Sequence, residues 1–197
     1  MEKPLLLLRR ATEQDEKIII GLIDEAADWL RTKGTDQWAE PWPSEEERRR
    51  RIMRSIRKGT TWILWDDGLP IATLTAEPHF SQHDRPVWPE EMQQDPAVYV
   101  CRLVVSRSHS GQGLGARLLD WAGLGAKLGR NARWIRVDVW TTNEALHAYY
   151  EGQGFDFYGY ADDADGYPSA ALFQKPTDQI PAPDTPRFLE DPDGWQQ

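Results

Sequence analysis

Residues 104–123 run VVSRSHSGQGLGARLLDWAG, and how this stretch is read decides the fold. It begins as the end of an apolar β-like run, AVYVCRLVV (97–105), passes through Gly111, Gly113 and Gly115, and ends in a helical pattern over 113–129. A strand that feeds a helix through a glycine-rich bend offers main-chain N–H groups that the helix leaves unsatisfied, at the positive end of its dipole. Such a turn suits an anion, most often a phosphate. Gly111 and Gly113 let the backbone approach without a Cβ in the way, and Gly115, one helical step on, lets the helix lie close to sheet or ligand. The plainer alternative is a tight turn whose glycines serve packing alone; the coincidence of strand, three glycines and helix favours the anion site. Neither common nucleotide signature fits. The spacing is G-x-G-x-G rather than G-x-G-x-x-G, and the turn continues Gly-Ala-Arg rather than Gly-Lys-Ser/Thr.

On the N-terminal side, LLLLRR (5–10) reads as a first strand, and Thr12 with Asp15 as a capping-box-like start to a helix over about 13–32. TDQWAEPWP is a loop by its prolines. Ser44 with Glu47 opens a second helix, in which Glu45, Glu46 and Glu47 stand four residues before Arg49, Arg50 and Arg51, the order that supports a solvated face rather than a phosphate-binding patch. TTWILW and PIATLTAE are strands joined by an Asp67-Gly68 hairpin. The insert PHFSQHDRPVWPEEMQQDP lacks periodicity and is expected to wrap the surface. Beyond the glycine turn, RWIRVDVW is a strand, NEALHAYYEGQG a short helix capped by Asn143, and FDFYGY and SAALFQK two further strands. The count predicts an α/β (α+β) fold: one central sheet of about six or seven strands flanked by about four helices.

The 197 residues suit one domain, here 1–175, followed by a Pro-rich acidic tail, 176–197, that holds five of the fourteen prolines. That tail reads as irregular or as an arm lying over a neighbour, which is compatible with a homodimer. A net charge of −9 argues against nucleic acid or an anionic membrane as partner. Between Arg102 and Arg136, however, seven basic residues face one acidic residue, so a local anion site near the turn stays reasonable. A single cysteine, and a leucine run too short for a signal peptide or a span, lead to the expectation of a cytoplasmic protein.

LVVSRSHSGQGLGARLLDWA resembles the acyl-CoA-binding segment of the GNAT family of N-acetyltransferases, whose signature is Arg/Gln-x-x-Gly-x-Gly/Ala. DVWTTNEALHAYYEGQGF resembles the family's second landmark, an Asn followed by a short helix with Tyr and then Gly-Phe, and LRRATEQD resembles its first strand and cap. The likeness spans roughly residues 5–175 and departs from the signature at Ser110, where Arg or Gln is usual. The resemblance implies a mixed, mostly antiparallel sheet with a splayed parallel pair at 98–105 and 134–140. It implies transfer of an acyl group, acetyl first of all, from acyl-CoA to a primary amine of a small molecule by direct attack, with no metal.

For the acyl-CoA, the resemblance implies main-chain contacts from Leu103, Val104 and Val105 to the pantetheine arm. The turn of Ser110, Gly111, Gln112, Gly113, Leu114, Gly115 and Ala116 would take the diphosphate, and Asn143 lies at the second landmark. Tyr150 would donate its phenolic proton to the departing sulfur. A carboxylate base is absent where it is often found, the position of Tyr99; Tyr99 is expected to orient a water, with Glu77, His79 or Asp138 as remoter bases. Gln37, Trp38, Trp42 and Tyr167 would line the acceptor site, and Asp162, Asp163 and Asp165 would attract a cation; the alternative is a hydrophobic lid with a solvated acidic turn. Cys101 reads as a small core residue rather than a nucleophile, and His79, His83 and Asp84 as a surface loop rather than a metal site. Two alternatives remain: a CoA-binding module without catalysis, and an acyltransferase whose donor is a carrier protein or an aminoacyl-tRNA.

Overall fold

Strand alternation is clearest at the N-terminus, where β1 (Leu7–Arg10) buries Leu8 completely and leaves Leu7 exposed. The computed structural model describes residues 6–78, 87–162, 166–182 and 188–190. After β1 the chain makes a 3-10 turn over Glu13–Asp15 before α1 (Glu16–Arg31) begins, so the α-helix starts three residues later than the periodicity predicts. The carboxylate of Asp15 organises this junction. It accepts the Thr12 N–H at 2.8 Å and hydroxyl at 2.9 Å, and two bonds from the Arg9 guanidinium at 2.9 and 3.0 Å. α1 turns Ile19, Leu22 and Ile23 onto Ile52 and Ile56 of α2 (Glu45–Arg57), with Ile63 and Val104 of the sheet beneath them.

The remaining strands are β2 (Thr61–Asp66), β3 (Leu69–Glu77), β4 (Ala97–Val105), β5 (Trp134–Val139), β6 (Asp156–Tyr160), β7 (Ala171–Pro176) and β8 (Leu189–Glu190). They form one eight-stranded sheet in the order β6-β7-β5-β4-β3-β2-β1-β8. Neighbours run antiparallel except β4 with β5 and β1 with β8. The pairing of β4 with β5 covers only Ala97 to Tyr99 against Trp134 to Arg136; beyond it the two strands part, as the resemblance implies. α4 (Leu114–Arg130) lies on the face opposite α1 and α2, packing Leu118, Leu119 and Ala122 with Val98, Val100, Ile135 and Val137. α5 (Glu144–Gly152) follows β5.

The fold class is the one expected, with eight strands and five helices among the described residues. The additions are the two-residue β8 and the four-residue α3 (Glu90–Gln93), both too short for periodicity to reveal.

The insert departs from the expectation of a surface wrap, because Val87 and Trp88 are buried. Arg136 is the physical reason. Fully enclosed on β5, its guanidinium donates to the Tyr99 hydroxyl at 3.0 Å, to the Met92 carbonyl and to Asp95 at 3.3 Å, and lies 5.1 Å from the Trp88 ring centroid. A buried cation needs such partners, and the insert supplies most of them. His79, His83 and Asp84 lie outside the described residues.

Described parts of the tail pack on their own chain: Ile180 and Phe188 are buried, and Leu189 and Glu190 pair with Leu7 and Leu8. Gly123 makes room for this, since a Cβ there would stand 2.3 Å from Ile180 Cδ1. No described helix is long and apolar enough to cross a membrane.

Candidate active site

The site begins with an irregularity in β4. Thr75 lies opposite Cys101 and Thr73 opposite Val104, so three steps on β4 match two on β3. Arg102, at φ 51, sits in this bulge. A bulge bends its strand and leaves a residue out of the ladder. Here it coincides with the point where β5 has already separated, so main-chain groups near Arg102 and Leu103 face a slot rather than a neighbouring strand. The Arg102 side chain turns towards α2, donating to Ser55 Oγ at 2.6 Å and Thr75 Oγ1 at 3.3 Å.

Leu103, Val104 and Val105 run from the bulge to the glycine turn, and Glu25 of α1 fixes the exit by accepting the Ser106 hydroxyl and the Arg107 N–H, both at 3.2 Å. Gly111 (φ 76) and Gly113 (φ 70) are left-handed, and a Cβ on either would meet nothing within 4 Å. Handedness, not crowding, selects glycine at these two positions. Gly115 has the other reason: a Cβ there would stand 2.7 Å from the Tyr149 hydroxyl. α4 starts at Leu114 without a side-chain cap, which leaves the N–H groups of its first turn, Leu114 to Ala116, without a side-chain acceptor from the N-cap residue Gly113. Ser110 donates to the Arg107 carbonyl at 3.0 Å.

The expected basic surplus is only partly at the turn. Arg107 lies 3.9 Å from the Trp29 ring centroid and Arg117 4.8 Å from that of Phe188, whereas Arg136 is enclosed in the sheet and Arg102 is turned to α2.

Asn143 caps α5, its Oδ1 accepting the Leu146 N–H at 3.1 Å, and its Nδ2 donates to Gln37 Oε1 at 2.6 Å. A second tie lies alongside: Asp36 accepts from Trp140 Nε1 and Thr142 Oγ1, both at 2.8 Å, and these bonds hold its carboxyl below the usual range. The loop before α2 is thereby fastened to the loop before α5. Tyr150, on the inner face of α5, is buried against Phe155 and Phe173. Burial pushes its phenol pKa up strongly, with Tyr149, Asp138 and Cys101 adding to the effect.

Gln37, Trp38 and Trp42 share one cavity, of about 330 Å³, with Tyr99, Cys101, Leu103, Val104, Val105, Asn143, Tyr150 and Tyr167. The structure therefore brings together the residues expected for acceptor, pantetheine arm and proton donor. Tyr99 faces the cavity with its hydroxyl oxygen accepting from Arg136. Cys101 is a correction: it is half-buried and lines the cavity rather than filling the core, because strand alternation puts it on the face of Tyr99, opposite the buried Val98 and Val100. Asp162 is exposed and is not among the cavity's described lining residues, and Asp163 and Asp165 lie outside the described residues.

Sequence reasoning missed a line of contacts across the cavity. The Arg51 guanidinium lies 4.7 Å from the Trp42 ring centroid, Trp42 meets Tyr167 edge-on at 4.9 Å, and the Tyr167 hydroxyl donates to Asp138 at 2.9 Å. The four positions fall in three separate segments, and no local pattern joins them. Among the described residues no group of three or more His, Cys, Asp or Glu is placed to hold a metal.

A model of the acetyltransferase (GNAT) family matches residues 22–155. An uncharacterised N-acetyltransferase of Bacillus subtilis, YesJ, is 36% identical over 165 residues, covering 84% of this chain and 87% of that protein. A GNAT-family acetyltransferase from Listeria monocytogenes superposes with a TM-score of 0.69 at 26% identity, over 87% of this chain and 94% of that one. The PaiA N-acetyltransferase of Thermoplasma acidophilum, solved in complex with coenzyme A, shares the fold with a TM-score of 0.63 at 16% identity, over 87% and 98% of the two chains. With the parted strands, the bare turn and the tyrosine on α5 all present, the chain belongs to the GNAT family of acetyltransferases.

Proposed function

We propose that this protein transfers an acyl group, acetyl first of all, from acyl-CoA to the primary amine of a small molecule by direct attack. The observation that carries the reading is that the bulge at Arg102 and Tyr150 line one cavity where β4 and β5 part, while β4 runs on from that cavity to the left-handed glycines ahead of α4. The glycine turn supplies main-chain N–H groups for a diphosphate, a role that survives Ser110 because backbone rather than side chain makes the contact. An N–H at the bulge polarises the thioester carbonyl. Tyr150, kept protonated by burial, gives its proton to the leaving sulfur. Trp38, Trp42 and Tyr167 offer aromatic surface to the acceptor. A cytoplasmic setting fits the lone cysteine.

The test incubates the protein with acetyl-CoA and a panel of small amines while free thiol is followed, with calorimetry of CoA binding alongside. Thiol release with at least one amine is expected. CoA binding without release for any amine supports the non-catalytic module instead, and no CoA binding ends both readings.

A further inference from the structure

Resting on that reading, we propose that Asp138 is the base that takes the proton of the acceptor amine, with Tyr167 as its positioning residue. Among the described residues, three carboxylates line the cavity: Glu40, Glu77 and Asp138. Glu40 belongs to the loop before α2. Glu77 accepts from Ser55 at 3.2 Å and lies 3.8 Å from Lys58 Nζ, in the network that supports α2 over the sheet. Asp138 stands elsewhere. The last β4–β5 pair is Tyr99 with Arg136, and Asp138, two residues further on the same face of β5, is the first such position after the strands have parted. It faces the slot that a thioester must enter, and it is close enough to Tyr150 to act on that phenol electrostatically.

Its orientation is built in. Tyr167 donates to Asp138 Oδ2, and the segment bearing Tyr167 is pinned to the end of β5: the Thr141 N–H and hydroxyl donate to the Pro168 carbonyl at 2.8 and 2.9 Å, and the Thr141 hydroxyl accepts the Ala170 N–H at 3.0 Å. Trp42 closes on the ring of Tyr167 from the other side. A carboxylate fixed by a hydroxyl on a rigid support is the arrangement that a proton acceptor needs. Other ionisable groups face the same cavity: Cys101 and Arg102 from β4, Arg107 after it, Glu77 from β3, Glu40 from the loop before α2, Arg48 and Arg51 from α2 and Tyr150 from α5. Tyr99 also faces it, with its hydroxyl held by Arg136 on β5.

The step balances with groups already present. The bound ammonium gives one proton to Asp138, and the lone pair so freed forms the N–C bond as the C–S bond breaks. Tyr150 protonates the sulfur, the second nitrogen proton restores the phenol through solvent, and Asp138 releases its proton to water.

The experiment measures the pH dependence of kcat/KM for an accepted amine in the parent protein, Asp138→Asn, Asp138→Glu, Tyr167→Phe and Glu77→Gln. Asp138→Asn is expected to lower kcat about 100-fold or more with CoA affinity unchanged, and to abolish the acidic limb of the profile. Asp138→Glu should recover part of the rate, and Tyr167→Phe should displace the acidic limb while keeping most of the maximal rate. An Asp138→Asn variant that retains the parent's rate and acidic limb overturns the proposal, as does loss of that limb in Glu77→Gln with Asp138→Asn unaffected. Should Asp138→Asn fail to fold, Tyr167→Phe decides: an unmoved limb overturns the assignment. A parent protein that binds CoA and acetylates no amine would instead overturn the transferase reading on which this rests.

Discussion

Tyr150 combines two properties that a proton donor to a thiolate requires: it keeps its proton, because burial and nearby negative charge disfavour the phenolate, and it reaches the cavity. Tyr150→Phe removes the proton and little volume, so kcat should fall about 100-fold while the KM for acetyl-CoA and the melting temperature stay near the parent values. Equal fall of Tyr149→Phe would show that the ring pair, and not this hydroxyl, matters. The residues read correctly from sequence share one property, which is that their role is local. Gly111 and Gly113 announce a bend within three residues, and Asn143 caps a helix that starts at the next position. Arg136 could not be read this way: its arginine counted as surface charge, while its partners Tyr99, Met92 and Asp95 come from segments about forty residues away. Asp138 was named among several bases, but what distinguishes it, the hydroxyl 29 positions later, is a tertiary contact.

At the scale of elements, the apolar patterns placed the long helices by one buried face and central strands such as β3 by a continuous buried run. Ser44 caps α2 through the Glu47 N–H as expected, and Arg50 pairs with Glu46 within that helix at 2.8 Å. Exposed pairs of this kind contribute little to stability. The sequence pattern did not reveal that Arg49 and Arg57 also reach across to Glu16 and Glu13, bracing α2 on the start of α1.

The junction before α1 carries a prediction. Burial pushes the Asp15 carboxyl up, but the bonds from Arg9 and Thr12 outweigh it and leave it below the ordinary value. A depressed carboxyl contributes stability that is fully present above the unfolded value, about pH 4, and is lost as pH falls through the folded one. Asp15→Asn should therefore cost about 2 kcal/mol in urea unfolding at neutral pH, and the difference from the parent should shrink below about pH 4. A constant difference across that window would remove Asp15 from the acid response.

For the molecule as a whole, the sheet does two jobs: it buries the core on both faces, and it opens in the middle. α1 and α2 cover the face that holds the cavity, and α4 covers the other. Because β4 and β5 pair over only three residues at their starts and then diverge, the sheet opens as a wedge between them. Reactants that meet in such an aperture can come from opposite sides without passing one another, so neither has to vacate before the next arrives. Steady-state measurements should accordingly give intersecting double-reciprocal lines. Labelled CoA should not exchange into acetyl-CoA when the amine is left out; parallel lines with brisk exchange would mean that an acetylated protein, with Cys101 the nearest thiol, stands between the two substrates.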